Sequence, residues 1–134
     1  MELESKIAVL PLGKTSNLSR KSMDNRWKII DRLDQLDAIT INSSLRPQVL
    51  FKHSTRCSIS SMALNRLKDL EAGFFDKADF HYLDLIAYRE ISNAIAERFQ
   101  VHHESPQVIL VKNGEAVYDA SHMEISTQEL ISEI

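Results

Sequence analysis

Residues 51–60 contain the side chain best suited to chemistry, Cys57, which is the only cysteine among the 134 residues. An apolar run at residues 49–51 leads into this segment, and a helical pattern beginning at Ile59 follows it. The thiol is therefore expected at a helix N-terminus, where unpaired backbone N–H groups and the helix dipole favour a thiolate. Such positions lower a cysteine pKa into a range of roughly 3.5 to 7.5, and the thiolate is the reactive form.

The neighbours of Cys57 indicate which thiol chemistry is available. Arg56 adds a positive charge, which stabilises the thiolate and so lowers the pKa of Cys57, as the helix N-terminus also does. Ser60 stands three residues after Cys57, where a dithiol redox motif carries its second cysteine. Its hydroxyl can donate a hydrogen bond to the thiolate but cannot form a disulfide, so the C-x-x-S pattern predicts one-cysteine thiol exchange. The alternative is a small, buried and unreactive cysteine.

A second candidate segment, residues 103–106, lies directly before an apolar run. Its last residue, Pro106, is expected to begin a buried strand, which is a natural place for a cis peptide bond. A cis Ser105-Pro106 bond would turn the backbone N–H and C=O of Ser105 toward the pocket, where they can pair with an extended peptide. The alternative is an ordinary trans proline at the start of a strand.

Composition excludes several classes of protein. With 43% hydrophobic and 26% charged residues, the chain is expected to form one globular domain over residues 25–134. Residues 1–24 are expected to be a weakly structured N-terminal extension, with an edge strand at residues 6–11. One cysteine excludes an internal disulfide framework and a multi-cysteine zinc site. A net charge of −3 argues against a nucleic-acid binder, and the N-terminal pattern fits neither a signal peptide nor a membrane span, so a cytoplasmic location is expected.

Periodicity and turn signals predict the element order β-α-β-α-β-α-β-β-α. The predicted strands are residues 27–29, 48–52, 80–85, 108–111 and 115–118; the predicted helices are residues 30–38, 59–70, 91–99 and 127–132. Asn113-Gly114 predicts a tight hairpin, and residues 126–129 form a capping-box sequence. Alternating strands and helices predict an α/β fold with a parallel core sheet and helices on both faces, to which the hairpin adds an antiparallel pair. Ligands bind at the carboxyl ends of such strands, and Cys57 follows one of them.

These features together resemble the thioredoxin superfamily. Within it, residues 51–60 and 103–107 are similar to the YtxJ-type monothiol bacilliredoxins of the bacillithiol system, and residues 82–85 and 120–122 fit the same family. The resemblance extends from about residue 27 to residue 125. One position departs from the family pattern, because Ser58 stands where the family usually has proline or glycine.

The resemblance implies a thioredoxin-like fold with a central mixed sheet, and an enzyme that exchanges thiols and disulfides. Cys57 would attack the bacillithiol sulfur of a bacillithiolated protein, and an external thiol would then release the enzyme. Bacillithiol, or another low-molecular-weight thiol, is thus the implied co-substrate, with no tightly bound cofactor and no metal. The implied partners are bacillithiolated proteins, with no nucleic acid and no membrane.

The same resemblance implies roles for the residues around the thiol. The implied thiolate-stabilising residues are Thr55, Arg56, Ser58 and Ser60. Ser105 and Pro106 would orient the mixed disulfide. Bacillithiol carries carboxylates, and the side chains expected either to meet them or to be plain surface residues are Lys52, His53, Arg56 and His103.

Two further functions stay open at this point. Monothiol glutaredoxins with a Cys-Gly-Phe-Ser motif hold an iron–sulfur cluster between two subunits, and residues 57–60 share that outline without its glycine. A non-catalytic binding module that uses the pocket but not the thiol is the other alternative.

Overall fold

The computed structural model describes residues 26–54, 58–67 and 72–134, apart from the side chains of Ser58, Ile59 and Ala72. The strands are β1 (Lys28–Ile29), β2 (Gln48–His53), β3 (Asp79–Asp84), β4 (Gln107–Lys112) and β5 (Glu115–Ser121). The α-helices are α1 (Gln35–Asn42), α2 (Ser58–Leu67), α3 (Arg89–Phe99) and α4 (Thr127–Glu133). Two short 3₁₀ helices, Ala72–Asp76 and His122–Glu124, were not predicted. The predicted order of strands and α-helices is confirmed.

The strands form one mixed sheet in the order β1-β3-β2-β4-β5. β1, β3 and β2 are parallel, whereas β4 is antiparallel to β2 and β5 is antiparallel to β4. The expectation of a parallel core sheet is therefore wrong for β4. The reason is the linker at residues 100–106, which at roughly 3.3 Å per residue is long enough to carry the chain back along α3 before β4 begins.

Helices cover both faces of this sheet, as the α/β fold class predicts. On one face, Val49 and Phe51 of β2 pack in a core with side chains of α2 and α4. On the other face, Leu50 packs in a second core with side chains of α1 and α3. Adjacent residues of β2 point to opposite faces and all six residues of the strand are buried, so β2 lies at the centre of both cores.

The boundaries of several elements differ from the prediction. α1 begins at Gln35 rather than at residue 30, because the Gln35 side chain accepts hydrogen bonds from the backbone N–H groups of Asp31 and Arg32 (2.7 and 2.8 Å) and so stabilises a turn before the helix. β5 continues to Ser121, which pairs with Gln107. The N-terminal extension and its edge strand, predicted for residues 1–24, lie outside the described residues.

The Asn113-Gly114 hairpin is confirmed. Both residues have positive φ values, 52° and 77°, as a tight turn of this type requires. The turn also contacts Ser43, the C-cap residue of α1, which accepts the N–H of Asn113 through its carbonyl (2.9 Å) and that of Gly114 through its hydroxyl (2.8 Å). The predicted capping-box sequence at residues 126–129 lies at the start of α4, where the Ser126 hydroxyl accepts the N–H of Glu129. None of the described helices is long and apolar enough to cross a membrane.

Candidate active site

Strand pairing brings the two candidate segments to the same end of the sheet, where β2 finishes and β4 starts. Lys52, next to the end of β2, pairs with Gln107, the first residue of β4. The end of β2 therefore lies beside the start of β4 and the Ser105-Pro106 segment that precedes it. β2 ends at His53 and α2 begins at Ser58, so the strand and helix predicted on either side of Cys57 are both present. Cys57, Thr55 and Arg56 themselves lie outside the described residues, as does the side chain of Ser58, so their predicted roles stay predictions.

Ser60 joins the first turn of α2 to the end of β2. Its hydroxyl is buried, accepts the backbone N–H of Ser54 at 2.9 Å, and lies 2.7 Å from Nδ1 of His53. These two contacts span the segment that contains Cys57. The predicted hydrogen bond from Ser60 to the thiolate stays a prediction, while the described contacts show that this hydroxyl connects the strand and helix that flank the thiol.

His53 is not a surface residue. The residue is 3% exposed, and its ring stacks on Phe51 with ring centroids 5.7 Å apart and contacts Ser60 through Nδ1. The alternative that this residue is a plain surface histidine is therefore wrong. Its predicted contact with a thiol substrate remains untested.

Lys52 is fully buried, so the alternative that it is a plain surface lysine is wrong, while its predicted contact with the carboxylates of bacillithiol stays a prediction. Its ammonium Nζ lies 3.3 Å from the backbone oxygen of Ser92 in α3 and 3.2 Å from Nδ1 of His103. Burial lowers the pKa of Lys52 to about 8. Lysine is rarely buried, which is why composition favoured a surface position. The available signal was strand alternation, since residue 52 shares a face with the core residue Leu50.

His103 lies where the linker from α3 approaches β4, and its side chain is half-buried. Its Nδ1 contacts Lys52, and the hydroxyl of Ser92 lies 3.4 Å from the same nitrogen. The pKa of His103 is below its usual value because of burial first, and then because of the positive charges of Lys52 and Arg89. The structure thus brings together two of the predicted carboxylate-binding residues, Lys52 and His103, although they are far apart in the chain.

The Ser105-Pro106 peptide bond is cis. Pro106 is buried and its carbonyl accepts the N–H of His122 at 3.0 Å, so the segment is held against the end of β5. The Ser105 hydroxyl is buried, and it has no hydrogen-bond partner among the residues that the structure describes. The predicted role of Ser105 and Pro106 in orienting a mixed disulfide is not tested by these contacts.

Glu104 forms a small polar cluster at the rim of the site. Its carboxylate lies 3.5 Å from Nε2 of His102 and 3.3 Å from Nε2 of His122. Within residues 26–54, 58–67 and 72–134, no group of three or more histidine, cysteine, aspartate or glutamate side chains is arranged to hold a metal ion. This cluster is therefore a surface arrangement of one carboxylate between two imidazoles.

Comparison with known proteins gives the site its context. The family model described as "Monothiol bacilliredoxin BrxC" matches residues 28–130. Among solved structures, a protein with a thioredoxin fold, provisionally described as an oxidoreductase, is 27% identical with a TM-score of 0.69, and the match covers 81% of this chain and 93% of that one. The thioredoxin of Fasciola hepatica is 16% identical with a TM-score of 0.60, covering 80% of this chain and 95% of that one. The thioredoxin of Malassezia sympodialis is 20% identical with a TM-score of 0.57, covering 80% and 86%.

The thioredoxin structures at lower identity show the fold alone, and they confirm the predicted thioredoxin-like architecture. The family match is more specific, because it includes Cys57 and the Ser105-Pro106 segment and covers well over half of the chain. The single cysteine of the sequence fits a monothiol protein. Fold and family together support a thiol redox function. The chain therefore belongs to the monothiol bacilliredoxin family, within the thioredoxin-like fold.

Proposed function

We propose that this chain is a cytoplasmic thiol–disulfide oxidoreductase that removes bacillithiol from mixed disulfides on proteins. The observation that carries the proposal is the match of residues 28–130 to the monothiol bacilliredoxin family in a chain with one cysteine. The geometry is compatible with it, because β2 ends shortly before Cys57 in the chain, α2 begins directly after it, and the end of β2 lies beside the start of β4, which the Ser105-Pro106 segment precedes.

The exchange proceeds in two steps. The Cys57 thiolate attacks the bacillithiol sulfur of the mixed disulfide, a new sulfur–sulfur bond forms, and the old one breaks. The target protein leaves as a thiolate, which takes up a proton and becomes a thiol. A second low-molecular-weight thiol then attacks the bacillithiol sulfur on Cys57, forms a disulfide between the two small thiols, and regenerates the Cys57 thiolate. Over the whole cycle one thiol is consumed and one is released: the sulfur of the target protein is reduced from a disulfide to a thiol, and the incoming small thiol is oxidised to a disulfide with bacillithiol.

The external thiol is required because the chain has no second cysteine to resolve the adduct. The co-substrate is accordingly bacillithiol or another low-molecular-weight thiol, and the macromolecular partners are bacillithiolated proteins. No tightly bound cofactor, metal, nucleic acid or membrane is part of this cycle.

The first test is the intact mass of the reduced protein after it is mixed with oxidised bacillithiol near neutral pH. We expect one bacillithiol adduct on the parent protein, its removal by added thiol, and no adduct on the Cys57→Ser variant. A fluorescent protein bacillithiolated at one cysteine then serves as substrate for turnover. If no adduct forms and the thiol of the folded protein also resists iodoacetamide, Cys57 is inert and the proposal is wrong.

A further inference from the structure

Two buried side chains of the sheet, Lys52 and Gln107, contact the linker that precedes the Ser105-Pro106 segment. Lys52 and Gln107 are direct partners across β2 and β4, so their side chains lie on the same face of the sheet. The amide of Gln107 donates to the carbonyl of His102 at 2.9 Å, and Nζ of Lys52 lies 3.2 Å from Nδ1 of His103. Both side chains are fully buried, so the two successive linker residues are each fixed to the sheet.

The contact between Lys52 and His103 determines where the imidazole carries its proton. A lysine ammonium has three N–H donors and no acceptor, so Nδ1 of His103 must accept. A neutral ring whose Nδ1 accepts carries its proton on Nε2. The neutral form is favoured because burial and the charges of Lys52 and Arg89 lower the pKa of His103. The second donor of Lys52 is directed to the Ser92 carbonyl at 3.3 Å, which fixes the position of the ammonium.

The far side of the ring is then a hydrogen-bond donor in a positively charged setting. Within the part of the chain that the structure describes, no residue bonds to Nε2 of His103. Among the described residues, the charged or titratable groups that act on this histidine are Lys52 in β2, Arg89 in α3, and Glu104 and His102 in the linker. The cations Lys52 and Arg89 outnumber the one carboxylate, which itself lies against the imidazoles of His102 and His122. This balance favours an anionic ligand group.

We propose that Lys52 is a positioning residue that fixes His103 as the Nε2–H tautomer, and that this N–H binds a carboxylate of the low-molecular-weight thiol. The identity of the ligand, a low-molecular-weight thiol, rests on the proposed function. The tautomer of His103 does not depend on that function. Lys52 does not touch the substrate. It acts through His103, which would hold the small thiol at the edge where β4 begins.

The tautomer is tested by ¹⁵N NMR of the histidine rings in the reduced full-length protein at pH 7. The His103→Gln spectrum identifies the His103 signals. We expect the Nε2–H tautomer in the parent, a mixture of tautomers in Lys52→Met, and the parental state in Ser92→Ala, which removes only the longer hydroxyl contact. An Nδ1–H tautomer in the parent, or no change in a folded Lys52→Met variant, would overturn the inference.

The ligand is tested with two substrates made from the same reporter protein. One carries bacillithiol in a mixed disulfide, and the other carries the dimethyl ester of bacillithiol, which lacks the carboxylate charges. A charge-assisted hydrogen bond predicts that the parent prefers the acid by about tenfold in KM, with little change in kcat. The His103→Gln amide stands near the position of Nε2 and is expected to retain most of this preference. The His103→Asn amide stands near Nδ1 and is expected to lose it.

These variants remain informative if Lys52→Met does not fold, because neither changes the buried lysine. Equal KM values for acid and ester in the parent, or the same preference in both His103 variants, would overturn the carboxylate contact. Exchange with neither substrate would instead overturn the proposed function, and the NMR measurement would still decide the role of Lys52.

Discussion

At the scale of single residues, the Ser60 hydroxyl connects α2 to the end of β2, because it contacts both His53 and Ser54. The backbone N–H of Ser54 and Nδ1 of His53 both depend on it, and all three residues are buried. Removing one partner of a buried hydrogen bond leaves the other without compensation for its lost hydration. Ser60 is therefore expected to contribute to stability as well as to any effect on the thiol.

We predict that Ser60→Ala lowers the free energy of unfolding by about 1 to 3 kcal/mol, since it removes the hydroxyl that the buried Ser54 N–H and the buried His53 ring nitrogen both contact. Urea unfolding of the reduced protein measures the loss. Asn65→Ala, an exposed position on the same helix, is the control and is expected to change stability little. Equal stability of the parent and the Ser60→Ala variant would show that the hydroxyl contacts are not stabilising.

At the scale of elements, a polar network connects three neighbouring strands near the end of the sheet opposite the candidate site. Nε2 of His81 in β3 lies 2.8 Å from the side-chain oxygen of Gln48 in β2. The amide of Gln48 in turn donates to Asp79 at 2.8 Å, and Asp79 forms ion pairs with Lys28 of β1 and with Arg46. Burial alone would raise the pKa of Asp79, but the Gln48 hydrogen bond and these two cations hold it below its usual value. The network therefore joins β1, β3 and β2 through groups whose charge depends on pH.

His81 makes this region sensitive to acid. Burial, together with the charge of Lys28, lowers the pKa of His81 to about 4, against 6.5 in the unfolded chain. Between these two values the unfolded state binds more protons than the folded state, so stability is lost as the pH falls from about 6.5 toward 4. The shift corresponds to a loss of about 2 to 3 kcal/mol over this window.

We predict that His81→Gln removes most of that loss, because an amide keeps a donor for Gln48 but does not titrate. The measurement is the free energy of unfolding in urea at pH 7 and pH 4.5 for both proteins. All other titratable groups, including Asp79, are present in the parent and in the variant. The difference between the two pH dependences therefore reports the contribution of His81. The same pH dependence in parent and variant would show that His81 is not the group responsible.

At the scale of the whole molecule, stability depends on two apolar cores that share β2. Leu50 is fully buried in the core with α1 and α3, while its neighbours Val49 and Phe51 belong to the core with α2 and α4. A cavity in one core therefore lies directly behind the strand that supports the other.

We predict that Leu50→Ala lowers the free energy of unfolding by about 2 to 5 kcal/mol, the usual cost of such a cavity. Leu45→Ala is the matched control, because Leu45 is 82% exposed just beyond the end of α1. Thermal or urea unfolding of the two variants measures the difference. Similar losses in both would contradict the assignment of Leu50 to the core.

The features that could be predicted from the sequence are those determined by local patterns. Apolar runs gave the order of strands and helices, Asn113-Gly114 gave the hairpin, and the positions of β2 and α2 around Cys57 followed from periodicity. The direction of β4 could not be predicted, because it depends on the path of the linker at residues 100–106. The burial of Lys52 was missed for a similar reason, since its partner His103 is brought to it only by tertiary structure.

The distance in sequence between Lys52 and His103 has a consequence during synthesis. The two residues are 51 positions apart, and ribosomes add about 5 to 20 residues per second, so His103 follows Lys52 by about 3 to 10 seconds. During that interval β4 does not yet exist, β2 lacks one neighbour, and the Cys57 thiol is already part of the nascent chain. The segment that would select a substrate is therefore the last part of the proposed site to be made, and it is made after the cysteine that it would serve.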